Sequence, residues 1–155
     1  MTNIESIRLQ IMARLPVRVR WLVNGTPLDF DFSRSQAALR CITAGGIIGG
    51  TIEEEWRSLR MFGENDYAEG GGAKTYLGVH IETGKVFGLD LERQNSQMFL
   101  LNSDVERFIQ TFLALDQALR PGIPAQPQIA ERLNEIDPGA FEHSEWRIFS
   151  AHIMR

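Results

Sequence analysis

The chain predicts an α+β fold, a single domain over residues 1–155 in which helices pack a twisted, mostly antiparallel sheet. Three observations predict it. Strand-like alternation occurs in pairs around turn residues, at 17–23 with 28–32 and at 77–81 with 87–91. A further apolar strand, Met98–Phe99–Leu100–Leu101, runs directly into a helical stripe of Val105, Phe108, Ile109, Phe112, Leu115 and Leu119. At 155 residues, with 43% hydrophobic and 23% charged content, the chain is also the size and composition of one ordinary domain.

The elements follow in order. Thr2–Asn3–Ile4–Glu5 has the form of a capping box. Ile4, Ile7, Ile11 and Leu15 then recur at helical spacing until Pro16 ends the helix. Residues 17–23 alternate with period two, Asn24–Gly25 supplies hairpin-turn chemistry, and residues 28–32 alternate again. Residues 35–43 read as a short helix burying Ala38, Cys41 and Ile42, with Gly45 as its cap. Residues 52–62 admit a helix start or a strand, and a strand over 57–62 is favoured. Gly70–Gly71–Gly72 marks a loop.

The central hairpin is expected to turn through three residues, Glu82–Thr83–Gly84, because that register opposes Val79 to Phe87 and Leu77 to Leu89. Gly84 then takes the left-handed position, and Gly78 faces Gly88 as a smooth patch suited to close packing. Ser103 reads as the N-cap of the next helix, with Glu106 as its reciprocal partner. A proline-rich connector over 121–127 is too short to separate domains. Two helices, 128–136 and 141–154, close the chain, the second carrying Trp146, Phe149 and Ile153.

Composition excludes several function classes. One cysteine, Cys41, precludes an internal disulfide framework or a cysteine-based zinc cluster and fits a reducing compartment. No apolar run is long enough to span a bilayer and no secretory signal opens the chain, so it reads as cytoplasmic and not membrane-bound. A net charge of −4 argues against direct nucleic-acid binding. The charge is concentrated: Glu53, Glu54, Glu55, Glu64, Asp66 and Glu69 lie in one short segment with only Arg57 and Arg60 between them. Such a segment would attract a basic partner, although a solvated loop is the commoner reason for one.

Catalytic and cofactor motifs are missing from the pattern. His143 and His152 are nine residues apart on one expected helix and point to opposite faces, so they share no metal. His80 is expected on the same sheet face as Asp90, where a His–Asp pair could orient a general base. No serine or cysteine nucleophile is placed to use it, and Cys41 has no basic neighbour. The Glu53–Glu55 run lacks calcium-loop spacing. The glycine clusters at 45–50 and 70–72 lack phosphate-loop and dinucleotide spacing. The expectation is a protein with no catalytic residues, no cofactor and no metal.

The ordered motifs resemble the SUKH superfamily. Leu59–Arg60–Met61–Phe62–Gly63–Glu64–Asn65–Asp66 resembles its strand, glycine and acidic turn, and Thr83–Gly84–Lys85–Val86 its "threonine-glycine-x-valine" hairpin. Phe99–Leu100–Leu101–Asn102–Ser103, leading to Phe108 and Phe112, is similar to its "strand, Asn-Ser, helix" signature. Ile136–Asp137–Pro138–Gly139–Ala140–Phe141 followed by Trp146 resembles its C-terminal end. The likeness covers residues 57–154 well and the first 50 only in element order.

It implies an immunity role: a bacterial protein, made beside a polymorphic toxin such as a nuclease or deaminase, that neutralises the toxin by binding it. The family brings no common catalytic residues. The expected partner is therefore a basic toxin domain, with Glu53, Glu54, Glu55, Glu64, Asp66 and Glu69 facing it, and the protein itself a monomer or homodimer. An acidic secretion chaperone or regulatory adaptor is the alternative, although the apolar stripes look fully used by the core. An enzyme built on His80 and Asp90 is the weakest reading.

Overall fold

The computed structural model describes residues 4–33, 40–41, 58–67, 75–90, 97–122 and 128–153. Helix α1 (Ile4–Arg14) leads into the hairpin β1 (Arg18–Val23) and β2 (Thr26–Asp31). A two-residue strand β3 (Arg40–Cys41) precedes the long β4 (Leu59–Tyr67). The hairpin β5 (Thr75–His80) and β6 (Val86–Asp90) is followed by β7 (Gln97–Asn102). Helices α2 (Val105–Leu119), α3 (Ile129–Ile136) and α4 (Glu145–Ile153) complete the chain, with a 3₁₀ turn at Phe141–His143 before α4.

The strands form one antiparallel sheet in the order β1-β2-β4-β5-β6-β7, and β3 pairs with the start of β4. Since β5 takes one edge of β4, β2 and β3 share the other end to end: β2 pairs residues 64–67 and β3 pairs residues 60–61. This is the α+β fold that the alternating and helical patterns predict.

All four helices bury residues in one cluster on one face of the sheet. Alternation decides which strand residues join them: Val19, Trp21 and Val23 from β1, Leu28 and Phe30 from β2. Ile7 and Ile11 enter from α1 and Leu15 from the residue that follows it, as their spacing predicts. Phe112 of α2 sits at the centre, 4.8 Å from the Trp21 ring and edge-on to Phe30 and Phe32 at 5.0 and 5.1 Å. Edge-on aromatic packing is the favoured electrostatic arrangement for such rings. Among the described residues a second, smaller cluster of Leu59 and Leu89, with Met61, Tyr76, Phe87 and Met98 against it, lies on the opposite face and contains no helix residue.

Two bulges adjust the alternation. Phe62 is an extra residue between the Met61↔Gly78 and Gly63↔Leu77 pairs, which turns its ring into the helix-side core. Another at Leu101 lets both Leu101 and Asn102 be buried in succession.

Several expectations are corrected. The β5–β6 register is one residue away from the expected one: Leu77 opposes Gly88, Gly78 opposes Phe87 and Val79 opposes Val86. The loop holds four residues, because the His80 carbonyl accepts the Gly84 N–H at 2.7 Å while the His80 N–H donates to the Lys85 carbonyl at 2.8 Å. His80 Nδ1 accepts the Glu82 and Thr83 N–H groups across that loop, both at 3.3 Å. Gly84 does take the left-handed conformation, at φ 78°. The two glycines therefore do not form a shared patch. Gly88 lies under the Phe99 ring instead, so close that a Cβ there would sit 2.2 Å from the ring.

The expected helix over 35–43 is contradicted at its two described residues, Arg40 and Cys41, which take β pairing with Met61 and Arg60. Ala38, Ile42, Gly45, the cap residues Thr2 and Asn3, the side chain of Cys41 and both glycine clusters lie outside the described residues. The N-cap of α2 is Asp104, whose carboxylate accepts the Arg107 N–H at 2.8 Å. Ser103 instead donates to Asp137. The final helix is split, since Ser144 breaks it by accepting the Trp146 N–H on its hydroxyl while donating to the Leu101 carbonyl at 2.6 Å.

That junction is the polar centre of the fold. Asp137, 2% exposed, accepts the Ser103 N–H at 2.8 Å, the Ser103 hydroxyl at 2.5 Å and the Asn102 amide at 3.1 Å. Asn102, 1% exposed, also donates to Thr111 Oγ1 and accepts the Trp146 indole N–H at 2.9 Å. Consecutive Asn-Ser at the end of β7 thus ties that strand to α2, to the end of α3 and to α4 through hydrogen bonds shared among Asn102, Ser103, Thr111, Asp137 and Trp146.

Candidate partner-binding face

Of the six acidic residues singled out in the sequence, Glu53, Glu54, Glu55 and Glu69 lie outside the described residues. Glu64 and Asp66 are described, and not in a turn. They belong to β4, which runs unbroken through Gly63–Glu64–Asn65–Asp66 because β2 and β5 supply backbone partners on both sides. An acidic tripeptide that looks like a turn is accepted in a strand when alternate side chains face outward.

The bulge at Phe62 sets which ones do. Glu64 and Asp66 point to the face away from the helices, and Asn65 to the helix side. Register then places them beside two acids that the short-range pattern did not flag: Glu64 opposes Asp31 and Asp66 opposes Asp29. On the next strand Arg18 opposes Asp31 and Arg20 opposes Asp29. The outer face of β1, β2 and β4 therefore carries two cross-strand rows, Arg18–Asp31–Glu64 and Arg20–Asp29–Asp66, lining a shallow groove of about 510 Å³.

Its electrostatics are asymmetric. Arg20 grips Asp29 with two bonds, Nε to Oδ1 at 2.7 Å and Nη2 to Oδ2 at 2.9 Å, whereas Arg18 and Asp31 approach only to 3.9 Å. Hydrogen bonding from the Arg20 guanidinium holds the Asp29 carboxyl below the ordinary aspartate range, despite some opposing desolvation. Like charges directly opposed across strands are destabilising. Among the described residues the outward row carries two such acid pairs, with Arg18 and Arg20 beside them on the sheet-edge strand.

Asp29 and Asp31 did have a sequence signal. Leu28–Asp29–Phe30–Asp31–Phe32 alternates strictly, so both acids had to face away from the apolar side. What short-range pattern lacks is the fact that β4, thirty residues on, pairs next to β2.

The candidate His80–Asp90 pair is not brought together. The corrected register puts Asp90 opposite Thr75, at the far end of the hairpin from His80 and on the other face of the sheet. Five residues of strand separate the two positions by roughly 16 Å. His80 instead lies tilted against Phe87, with ring centroids 6.4 Å apart, and its Nδ1 caps the loop. His143 and His152 fall on separate elements, the 3₁₀ turn and α4. Among the described residues no three His, Cys, Asp or Glu side chains are grouped so as to hold a metal ion. No described helix is long and apolar enough to cross a membrane.

Compared with family models, curated proteins and solved structures, the chain matches none.

Proposed function

We propose that this protein is a non-enzymatic binding domain that acts as an immunity protein, neutralising a cognate basic toxin domain, a nuclease or deaminase, by direct contact. The observation that carries the reading is the acidic outer face, where Asp29 and Asp31 of β2 stand opposite Asp66 and Glu64 of the paired strand β4. A strand framework holds these carboxylates in fixed positions, so a basic surface can meet them with little reordering. Arg18 and Arg20 bound the shelf on one side. On the other, the half-buried Tyr76 and Met98 continue the row through the pairing Glu64↔Tyr76↔Leu89↔Met98. An apolar band flanked by charge is the usual composition of a protein–protein contact. The resemblance of residues 57–154 to the SUKH superfamily supports the same class independently of charge.

The test is co-expression with the product of the neighbouring gene, purification through a tag on this chain, and an assay of that product's toxicity. A stoichiometric complex that suppresses the toxicity is expected. A folded protein that captures nothing and protects nothing would reject the immunity reading in favour of an acidic secretion chaperone or a regulatory adaptor.

A further inference from the structure

The apex of the β5–β6 loop is held by a single side chain. The N–H groups from Ile81 to Lys85 all find acceptors. Ile81 donates to the Ser58 carbonyl at 2.9 Å, Gly84 to the His80 carbonyl at 2.7 Å and Lys85 to Thr83 Oγ1 at 3.3 Å. The other two, from Glu82 and Thr83 at the apex, converge on His80 Nδ1, each at 3.3 Å. A ring nitrogen that accepts hydrogen bonds carries no proton, so this geometry requires a neutral imidazole with its proton on Nε2. A proton added at Nδ1 replaces the acceptor with a third donor, and both apex bonds are then lost. The bonds made by Ile81 and Gly84 go to backbone carbonyls and do not depend on the ring. Release is therefore confined to Glu82 and Thr83.

The surroundings of the ring come from three elements. The loop itself carries Glu82 and Lys85, of opposite charge, on either side of Thr83–Gly84. Strand β4 presents Leu59 at the position paired with His80, and the Arg60 guanidinium donates to the Leu59 carbonyl at 3.2 Å. Strand β6 presents the Phe87 ring, tilted at 60° to the imidazole. We propose that His80 is a pH-sensitive latch: neutral, it ties down the apex of the β5–β6 loop, and protonated, it releases the Glu82 and Thr83 N–H groups to solvent. The stability these bonds supply is present while the imidazole is neutral and is lost as pH falls and the ring takes up its proton. The latch pairs with the Leu59 end of β4, and Glu64 and Asp66 lie towards the other end, so it stands or falls separately from the immunity reading.

A titration of the ¹⁵N-labelled full chain from about pH 8 to about pH 5.5 tests it, a range in which imidazoles titrate and most carboxylates stay ionised. The His80 ring protons and the amides of Ile81 to Lys85 are followed together. The Glu82 and Thr83 amide protons should move upfield as they lose their acceptor, with the same midpoint as the His80 ring. Those of Ile81 and Gly84 should stay close to their starting positions. His80→Asn puts an amide oxygen on the same side-chain carbon that bears Nδ1, an acceptor that takes up no proton in this range, and should hold the Glu82 and Thr83 amides steady. Three results would overturn the proposal: apex amides that stay fixed while the ring titrates, a ring that does not titrate in this range, or apex amides that move equally in His80→Asn. The first two are read on the unaltered protein, so the matter is decided even if the variant does not fold.

Discussion

Removing the Asp137 carboxylate should cost more stability than any single change on the outer sheet face. Three direct hydrogen bonds converge on it, from the Ser103 N–H, the Ser103 hydroxyl and the Asn102 amide, with the Arg107 guanidinium 4.0 Å away. A hydrogen bond to a charged group contributes about 1.5–3 kcal/mol. Simple addition overstates the loss, because Asn102 keeps its bond to Thr111 and water can reach the half-buried Ser103. Asp137→Ala should therefore lose about 3–4 kcal/mol, close to what breaking other buried charged networks costs. For a domain of this size that is a fall in Tm of roughly 6–16 °C.

Urea denaturation at pH 7 measures it, with tryptophan fluorescence as reporter, one of the three indoles, Trp146, being bonded to Asn102 inside the network. The pairing with Ser103→Ala in a double-mutant cycle should give a coupling of at least about 1 kcal/mol. A loss under about 1 kcal/mol, or strictly additive effects, would refute the claim that this junction fastens α2, α3 and α4 to β7.

Three further outcomes follow from the geometry. Arg20→Gln should lower stability by under about 1 kcal/mol near neutral pH, as expected for a partly exposed pair. Because the folded Asp29 carboxyl is depressed, the contribution of that pair is present above the unfolded aspartate range and is lost as pH falls through the folded value. The gap between wild type and Arg20→Gln in urea midpoint should accordingly be constant from pH 7 to about 5 and close towards pH 2. Gly88→Val should destabilise by about 1–3 kcal/mol, since its side chain must displace the Phe99 ring, and denaturant melts will report it. Phe112→Ala, at the meeting point of Trp21, Phe30 and Phe32, should cost about 3–5 kcal/mol by the same measurement.

How much of this was legible in the sequence depended on whether local chemistry decided the outcome. Asn24–Gly25 turned as expected because a two-residue hairpin needs positive φ at both positions, and they take 51° and 82°. The α2 stripe was readable for a similar reason, since five of its six expected residues are buried. The β5–β6 register was not. Both faces of that hairpin are apolar, with Leu77 and Val79 on one and Phe87 and Leu89 on the other, so no solvent face pinned the pairing. A histidine ring accepting two loop N–H groups added the residue that shifted it. The acidic face was half legible: Glu64 and Asp66 were noticed as charge, whereas Asp29 and Asp31 joined them only through pairing across thirty residues of chain.

The central claim rests on the acidic face, and one measurement reaches it most directly: the affinity of the co-purified partner for Glu64→Lys/Asp66→Lys, with folding checked by the same urea melt. Both substitutions reverse charge on the outer rows and leave the helix-side core untouched. A loss of at least about 100-fold, diminishing as salt is raised, is the predicted result. An affinity unchanged from wild type in a folded variant would contradict the account and move the contact to another face.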